Sequence, residues 1–241
     1  MINFDEYIRQ GDPQKREKGY AWQTAIGLQA VDGLKPSDYL IETARKDIEG
    51  EISIDEAEQL IKNYYQSKEA RTPEEADMHE ADMVSTNIRR LLTEKTFAFT
   101  FVGLTSIHRR IFDGVFKFAG QIRDYNITKK EWVLRGDTVL YVSALDIRKA
   151  VEYDLEQERQ FDYSKVDRNS LVSHIAQFVS GLWQIHPFGE GNTQTTAVFT
   201  ILYLRSMGFD VTNDLFANHS WYFRNATGTG QLPKRTERHY A

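Results

Sequence analysis

His186-Pro187-Phe188-Gly189-Glu190-Gly191-Asn192-Thr193-Gln194-Thr195-Thr196 lies between two apolar helical patterns, and its reading decides the rest of the chain. Before it, Leu171, Ile175, Phe178, Val179 and Leu182 recur at helical spacing up to Trp183. That helix is apolar over much of its surface and is expected to be the central buried one. After it, Val198, Phe199, Ile201, Leu202 and Leu204 predict a helix over 195–207 that Gly208 ends. A loop with two glycines and an asparagine that runs into a helix N-terminus suits phosphate, because free N–H groups and the helix dipole face the anion there. Gly189 and Gly191 let the backbone come close to it. Glu190 adds a carboxylate, which beside phosphates serves as a Mg²⁺ ligand. His186 is the group able to take a proton near neutral pH, and Phe188 reads as an inward hydrophobic pin. Base, metal ligand and phosphate cradle in such close order point to phosphoryl-type transfer from a nucleotide. Each piece taken singly also has a plain reading, His-Pro as a helix terminator and Glu-Gly-Asn as a turn.

Upstream, Lys35-Pro36-Ser37 marks a helix start with Ser37 as cap; Ile41, Ala44 and Ile48 follow at helical spacing and Gly50 stops them. Ser53 and Glu56 fit a capping box ahead of the stripe Ala57, Leu60, Ile61, Tyr64 and Tyr65. The polar stretch 71–82 reads either as a linker or as the solvated start of the helix that carries Val84, Ile88, Leu91 and Leu92. Ile107, Ile111, Val115 and Phe118 predict a helix capped by Thr105 and ending near Gly120. The period then changes. Tyr125, Ile127, Trp132, Val133, Leu134, Val139 and Tyr141, broken by Arg135-Gly136-Asp137, suggest a short hairpin or extended flap. Helical spacing returns at Ile147, Val151 and Leu155, and a short helix is expected over 213–225. The tail 227–241 has almost nothing to bury and is expected to be disordered.

The chain has 241 residues, with 30 Lys and Arg against 35 Asp and Glu, a net charge of -5. That balance argues against a general nucleic-acid binder, which needs surplus cations. With no cysteine, disulfides, thiolate zinc sites and a cysteine nucleophile are excluded. No apolar run approaches the roughly 20 residues of a membrane span, and the first residues show no signal-peptide pattern. A soluble cytoplasmic protein is the default expectation, with no nucleic-acid or membrane partner; secretion by a specialised system stays open. His174 reads as a hydrogen-bonded core residue, and His108, beside Arg109 and Arg110, as a surface residue. His79, His219 and His239 show no metal-ligand spacing.

His186, Phe188, Glu190, Gly191 and Asn192 fall where the signature of the Fic (filamentation induced by cAMP) family has His, any, Phe, any, Asp/Glu, Gly, Asn, Gly, Arg, any, any, Arg. The segment from Leu104 to Gly120, with Gln121-Ile122-Arg123 after it, is similar to that family's opening helix and the approach to its flap. The resemblance implies a mainly α fold. It would comprise a Fic-like helical core over 99–226 with a short β-hairpin flap, an N-terminal helical extension over 1–98, and a flexible tail. The activity it implies is transfer of AMP from ATP to a Ser, Thr or Tyr hydroxyl of a target protein. By that resemblance His186 removes the hydroxyl proton and Glu190 holds Mg²⁺. Gly189, Gly191, Asn192, Thr193 and Gln194 bind the phosphates. Lys129, Lys130, Glu131, Trp132 and Val133 form the flap that aligns the target by strand addition, or else an ordinary surface hairpin with Trp132 as a core aromatic.

The sequence departs from this signature at Thr193, at Gln194 where the first Arg belongs, and at Ala197 where the second belongs. Losing a charged bidentate contact weakens donor binding. Many Fic proteins also carry an inhibitory, antitoxin-like helix ending in Ser/Thr, three residues, Glu, Gly/Asn. Ile48-Glu49-Gly50 resembles its end, with Arg45 at the Ser/Thr position, so Glu49 is either an inhibitory residue or a plain helix-end carboxylate. Two other readings stay open: a catalytically impaired Fic-fold module that binds nucleotide or protein, and Fic-type transfer of another phosphate-containing group. Self-association is also open.

Overall fold

Most helix starts among the described residues follow side-chain caps. The computed structural model describes residues 4–9, 11–67, 72–130, 138–209 and 211, with the backbone alone at 129–130 and 138–140. Helix α1 covers Asp5–Arg9 and α2 covers Pro13–Gln29, the latter capped by Asp12, which accepts from the Gln14 N–H at 2.9 Å. Ser37 caps α3 (Asp38–Glu49), which Gly50 ends in the left-handed conformation at φ 81°. The expected capping box of Ser53 and Glu56 opens α4 (Ile54–Gln66). A second capping box, Thr72 with Glu75, opens α5 (Pro73–Leu92). From Thr72 onward, then, the stretch 71–82 starts a helix and is not a linker. Its polarity is partly internal: buried Asp82 accepts from the Ser37 N–H at 2.9 Å and the Tyr65 hydroxyl at 2.7 Å, tying α3, α4 and α5.

Helix α6 (Phe101–Ile111) starts earlier than expected, with Thr100 and not Thr105 as its cap. A Cβ on Gly103 would lie 1.9 Å from the Ala98 carbonyl oxygen, so the chain before the helix folds tightly onto its first turn. The helix also stops at Ile111; turns that use Gly114 and Gly120, at φ 76° and 81°, fill the stretch expected to stay helical to residue 120. Strands β1 (Thr128–Lys130) and β2 (Thr138–Leu140) pair antiparallel with Lys129 opposite Val139, the expected hairpin. Helices α7 (Ile147–Arg159), α8 (Arg168–Ile185) and α9 (Asn192–Ser206) complete the described fold, which is mainly helical.

The central helix is α9, not α8. Every residue from Asn192 to Tyr203 is buried, whereas α8 is buried chiefly from Phe178 onward. Threonine explains why apolar spacing misplaces the centre. Thr200 returns its hydroxyl to the Thr196 carbonyl at 2.7 Å, so its methyl group packs as an apolar surface. Around α9 gather Ile88, Leu104, Ile111, Val151, Leu155 and Leu182. A second cluster joins Phe4, Trp22, Leu40, Ile48, Ile61 and Tyr65 of the N-terminal helices. Helices α2 and α5 feed both: Ala25, Leu28 and Ile88 pack in the first, Trp22, Ile26 and Met83 in the second. Among the described residues no helix is long and apolar enough to cross a membrane. The calls on Glu131, Trp132 and Val133, on the helix over 213–225 and on the tail lie outside the described residues.

Candidate active site

Helix α8 ends at Ile185, and His186 follows in the left-handed conformation at φ 53°, the one non-glycine residue with positive φ among those described. Its ring stacks on Tyr141 at 4.1 Å and meets Trp183 edge-on at 5.5 Å. Tyr141 directly follows β2, so the base of the hairpin packs against this histidine.

The loop that follows is held from three directions. Phe188 is buried, as expected of a pin, and stacks on the His108 ring at 3.8 Å. His108 is no surface residue: it is fully buried, its Nε2 lies 3.1 Å from the Glu190 carbonyl, and its Nδ1 accepts from the Gly120 N–H at 2.8 Å. Burial pushes it down to about 4, with the Glu190 carbonyl opposing. The basic run beside it hid this, because only Arg109 and Arg110 turn outward. The Asn192 amide closes the loop on itself, donating to the Phe188 carbonyl at 2.8 Å and accepting from the Phe188 N–H at 2.9 Å. Its side chain is therefore committed to the loop, and what it offers an anion is its backbone N–H.

Gly191 caps α9 with φ 75°, and a Cβ there would lie 2.1 Å from the Phe112 ring. No side chain caps this helix start, unlike those of α2 to α6 and α8. The first N–H groups, from Asn192 to Gln194, precede the first helical bond, which runs from Thr195 N–H to the Gly191 carbonyl at 3.1 Å. A Cβ on Gly189 would approach the Tyr125 hydroxyl to 2.9 Å. Glu190 is exposed. A histidine, a carboxylate and an uncapped helix N-terminus thus share one pinned loop between α8 and α9. Residues 98–204, from just before α6 to nearly the end of α9, match the model of the Fic/DOC family.

This segment belongs to the Fic/DOC family. The fold is that of Fic-type transferases, and the first two expected departures from the Fic signature have structural partners. Thr193 accepts from Trp183 Nε1 at 3.1 Å. Gln194, where the Fic pattern has arginine, is buried and donates through Nε2 to the carboxylate of Asp32, just after α2. Ala197 is fully enclosed in α9. The carboxyl of Glu80 in α5 is raised by burial and then by the charges of Asp32, Asp77 and Glu190. The N-terminal helices therefore bring the Asp32 carboxylate onto Gln194 and the Glu80 carboxyl within electrostatic reach of Glu190. Glu49 is engaged elsewhere, ion-paired with Lys15 of α2.

Of the expected site residues, the structure brings His186, Phe188, Gly189, Glu190, Gly191, Asn192, Thr193 and Gln194 together. Lys129 and Lys130 lie in β1 of the hairpin. Sequence reading missed Asp32, His108, Phe112 and Arg123. Arg123 is 3% exposed and donates from Nε to the His186 carbonyl at 2.8 Å and from Nη1 to the Tyr125 carbonyl at 2.7 Å. Nη2 serves the Val142 and Ile185 carbonyls, and the Arg123 N–H bonds the Pro187 carbonyl at 3.0 Å.

Proposed function

We propose that the chain is a protein adenylyltransferase that moves AMP from ATP to a Ser, Thr or Tyr hydroxyl of a target protein. The observation that supports it most is the loop of residues 186–194, which sets a histidine and an uncapped helix N-terminus on one pinned turn in a Fic/DOC domain. His186 takes the proton of the target hydroxyl as its oxygen attacks the α-phosphorus. The bond between that phosphorus and the oxygen bridging to the β-phosphate breaks, pyrophosphate leaves, and His186 returns its proton to solvent. The N–H groups of residues 192–194 hold the phosphate oxygens, a role that the α9 dipole favours. The hairpin whose first strand carries Lys129 and Lys130 receives the target as an added strand.

Magnesium fits the donor set. Glu190 is an exposed carboxylate on the loop, and Mg²⁺ is commonly held by one or two carboxylates with substrate phosphates and water. Bound there, it would offset phosphate charge that Gln194 and Ala197 leave without an arginine. The neighbouring Asp32 carboxylate argues for weak donor affinity in the resting chain.

The test is label transfer to protein from ATP labelled at the α- or the γ-position. Label from the α-position alone, lost in His186→Ala, is the expected result. Label from the γ-position would replace adenylylation with phosphorylation. No label from either, even with Gln194→Arg and Asp32→Asn combined, would leave a nucleotide- or protein-binding module.

A further inference from the structure

One guanidinium touches three backbone segments that come together at His186. Arg123 is buried, and among the described residues its side chain donates to carbonyl oxygens: Ile185 and His186 at the end of α8, Tyr125 before β1, and Val142 after β2. Its own N–H holds the Pro187 carbonyl at 3.0 Å, so the backbone on both sides of the His186–Pro187 bond is fixed from one residue. His186 needs such support. A histidine at φ 53° sits in a region that non-glycine residues occupy only when their surroundings impose it. The carbonyls that end a helix are also left without intrahelical donors and carry its negative dipole end, which a cation complements.

We infer that Arg123 is the positioning residue for His186 and couples that histidine to both roots of the hairpin. The inference rests on the reading of His186 as the base only in its kinetic arm. Arginine is required by geometry: a planar fork with five donors reaches four carbonyls in different directions, whereas lysine concentrates three donors at one point. Whatever shifts the hairpin on target binding is thus felt at the His186 carbonyl through a single rigid group.

The test compares the parent chain with Arg123→Lys, which keeps the charge and loses the fork. The His186 imidazole is followed by NMR, assigned with His186→Gln and referenced to His174, which is anchored on Glu158 at 2.7 Å away from the loop. The expected result is a shifted or broadened His186 signal with His174 unchanged. In α-labelled transfer, kcat should fall by about a hundredfold with the KM for ATP nearly constant, the pattern of a displaced base. An unchanged His186 signal, or a loss seen only in KM, would overturn the role. If the parent chain transfers nothing, adenylylation fails while the NMR arm still decides the positioning. Should Arg123→Lys not fold, the parent chain is decisive: a clamped Arg123 shows a protected Nε–H and slow guanidinium rotation, and a freely rotating one refutes the inference.

Discussion

Gln194 donates a hydrogen bond to Asp32, a residue 162 positions earlier in the chain, at the signature position where the Fic pattern carries its first arginine. The contact changes what a restored arginine would do. An arginine at 194 would meet the Asp32 carboxylate and have its charge taken up within the protein, not by a phosphate. Gln194→Arg alone should therefore raise ATP affinity by no more than about threefold. Combined with Asp32→Asn it should gain about tenfold or more, the scale of one charged hydrogen bond. Calorimetric titration with Mg-ATP measures both. A full gain from Gln194→Arg alone would show that Asp32 does not compete.

His108 ties acid stability to the loop. One ring nitrogen faces the Glu190 carbonyl and the other accepts from the Gly120 N–H, so the ring fits as the neutral form with its proton on Nε2. A second proton would press an N–H against the Gly120 N–H. The folded chain binds that proton only near pH 4, the unfolded chain already near 6.5. The stabilisation is complete above about pH 6.5 and is lost as pH falls toward 4, about 3 kcal/mol in all. Urea unfolding at pH 7.5 and 4.5 should show the parent losing about 2 kcal/mol more than His108→Gln. Equal losses in the two proteins would remove His108 from the acid response.

Gly191 answers to two demands at once. Its φ of 75° disfavours any side chain, and the Phe112 ring fills the place of a Cβ at 2.1 Å. Gly191→Ala should cost about 3 kcal/mol or more in thermal unfolding. Adding Phe112→Ala should return part of that loss, because it opens the space while leaving the backbone demand. If the second change restores nothing, the ring is not the obstacle.

These contacts show what the sequence could and could not display. The loop from His186 to Gln194 is legible because its chemistry is contiguous, and the strand pair because β-rich residues cluster on both sides of a Gly-Asp pair in the sequence. Ser37, Ser53 and Gly50 mark helix ends by local rules, and the structure places caps and stop where they predict. The supports are different. His108 reaches Glu190 across 82 residues and Arg123 reaches His186 across 63, and nothing near either in sequence marks the partner. Polar residues that are satisfied inside the fold mislead in the same way. Buried Asp82 left the start of α5 readable as a linker or as a solvated helix start, and Thr200, whose hydroxyl bonds the Thr196 carbonyl, helped hide the central position of α9.

Asp47 offers a test of whether the N-terminal helices and the Fic/DOC domain unfold together. It is buried in α3 and accepts from Arg89 of α5 at 2.9 Å and from Trp22 Nε1 of α2 at 2.8 Å, with Lys18 at 3.2 Å. Arg89 is 2% exposed, and burial lowers its pKa against the pull of Asp47. Asp47→Ala would strand that cation, so a loss of about 3–5 kcal/mol is expected, and Asp47→Leu with Arg89→Met should recover most of it. Because α2 and α5 pack into both hydrophobic clusters, the weakened N-terminal part cannot melt without exposing Ala25, Leu28 and Ile88 of the domain core. Calorimetry of Asp47→Ala should then show one transition moved to lower temperature. Two resolved transitions, with the second at the parent's temperature, would mean that the shared helices do not couple the two parts.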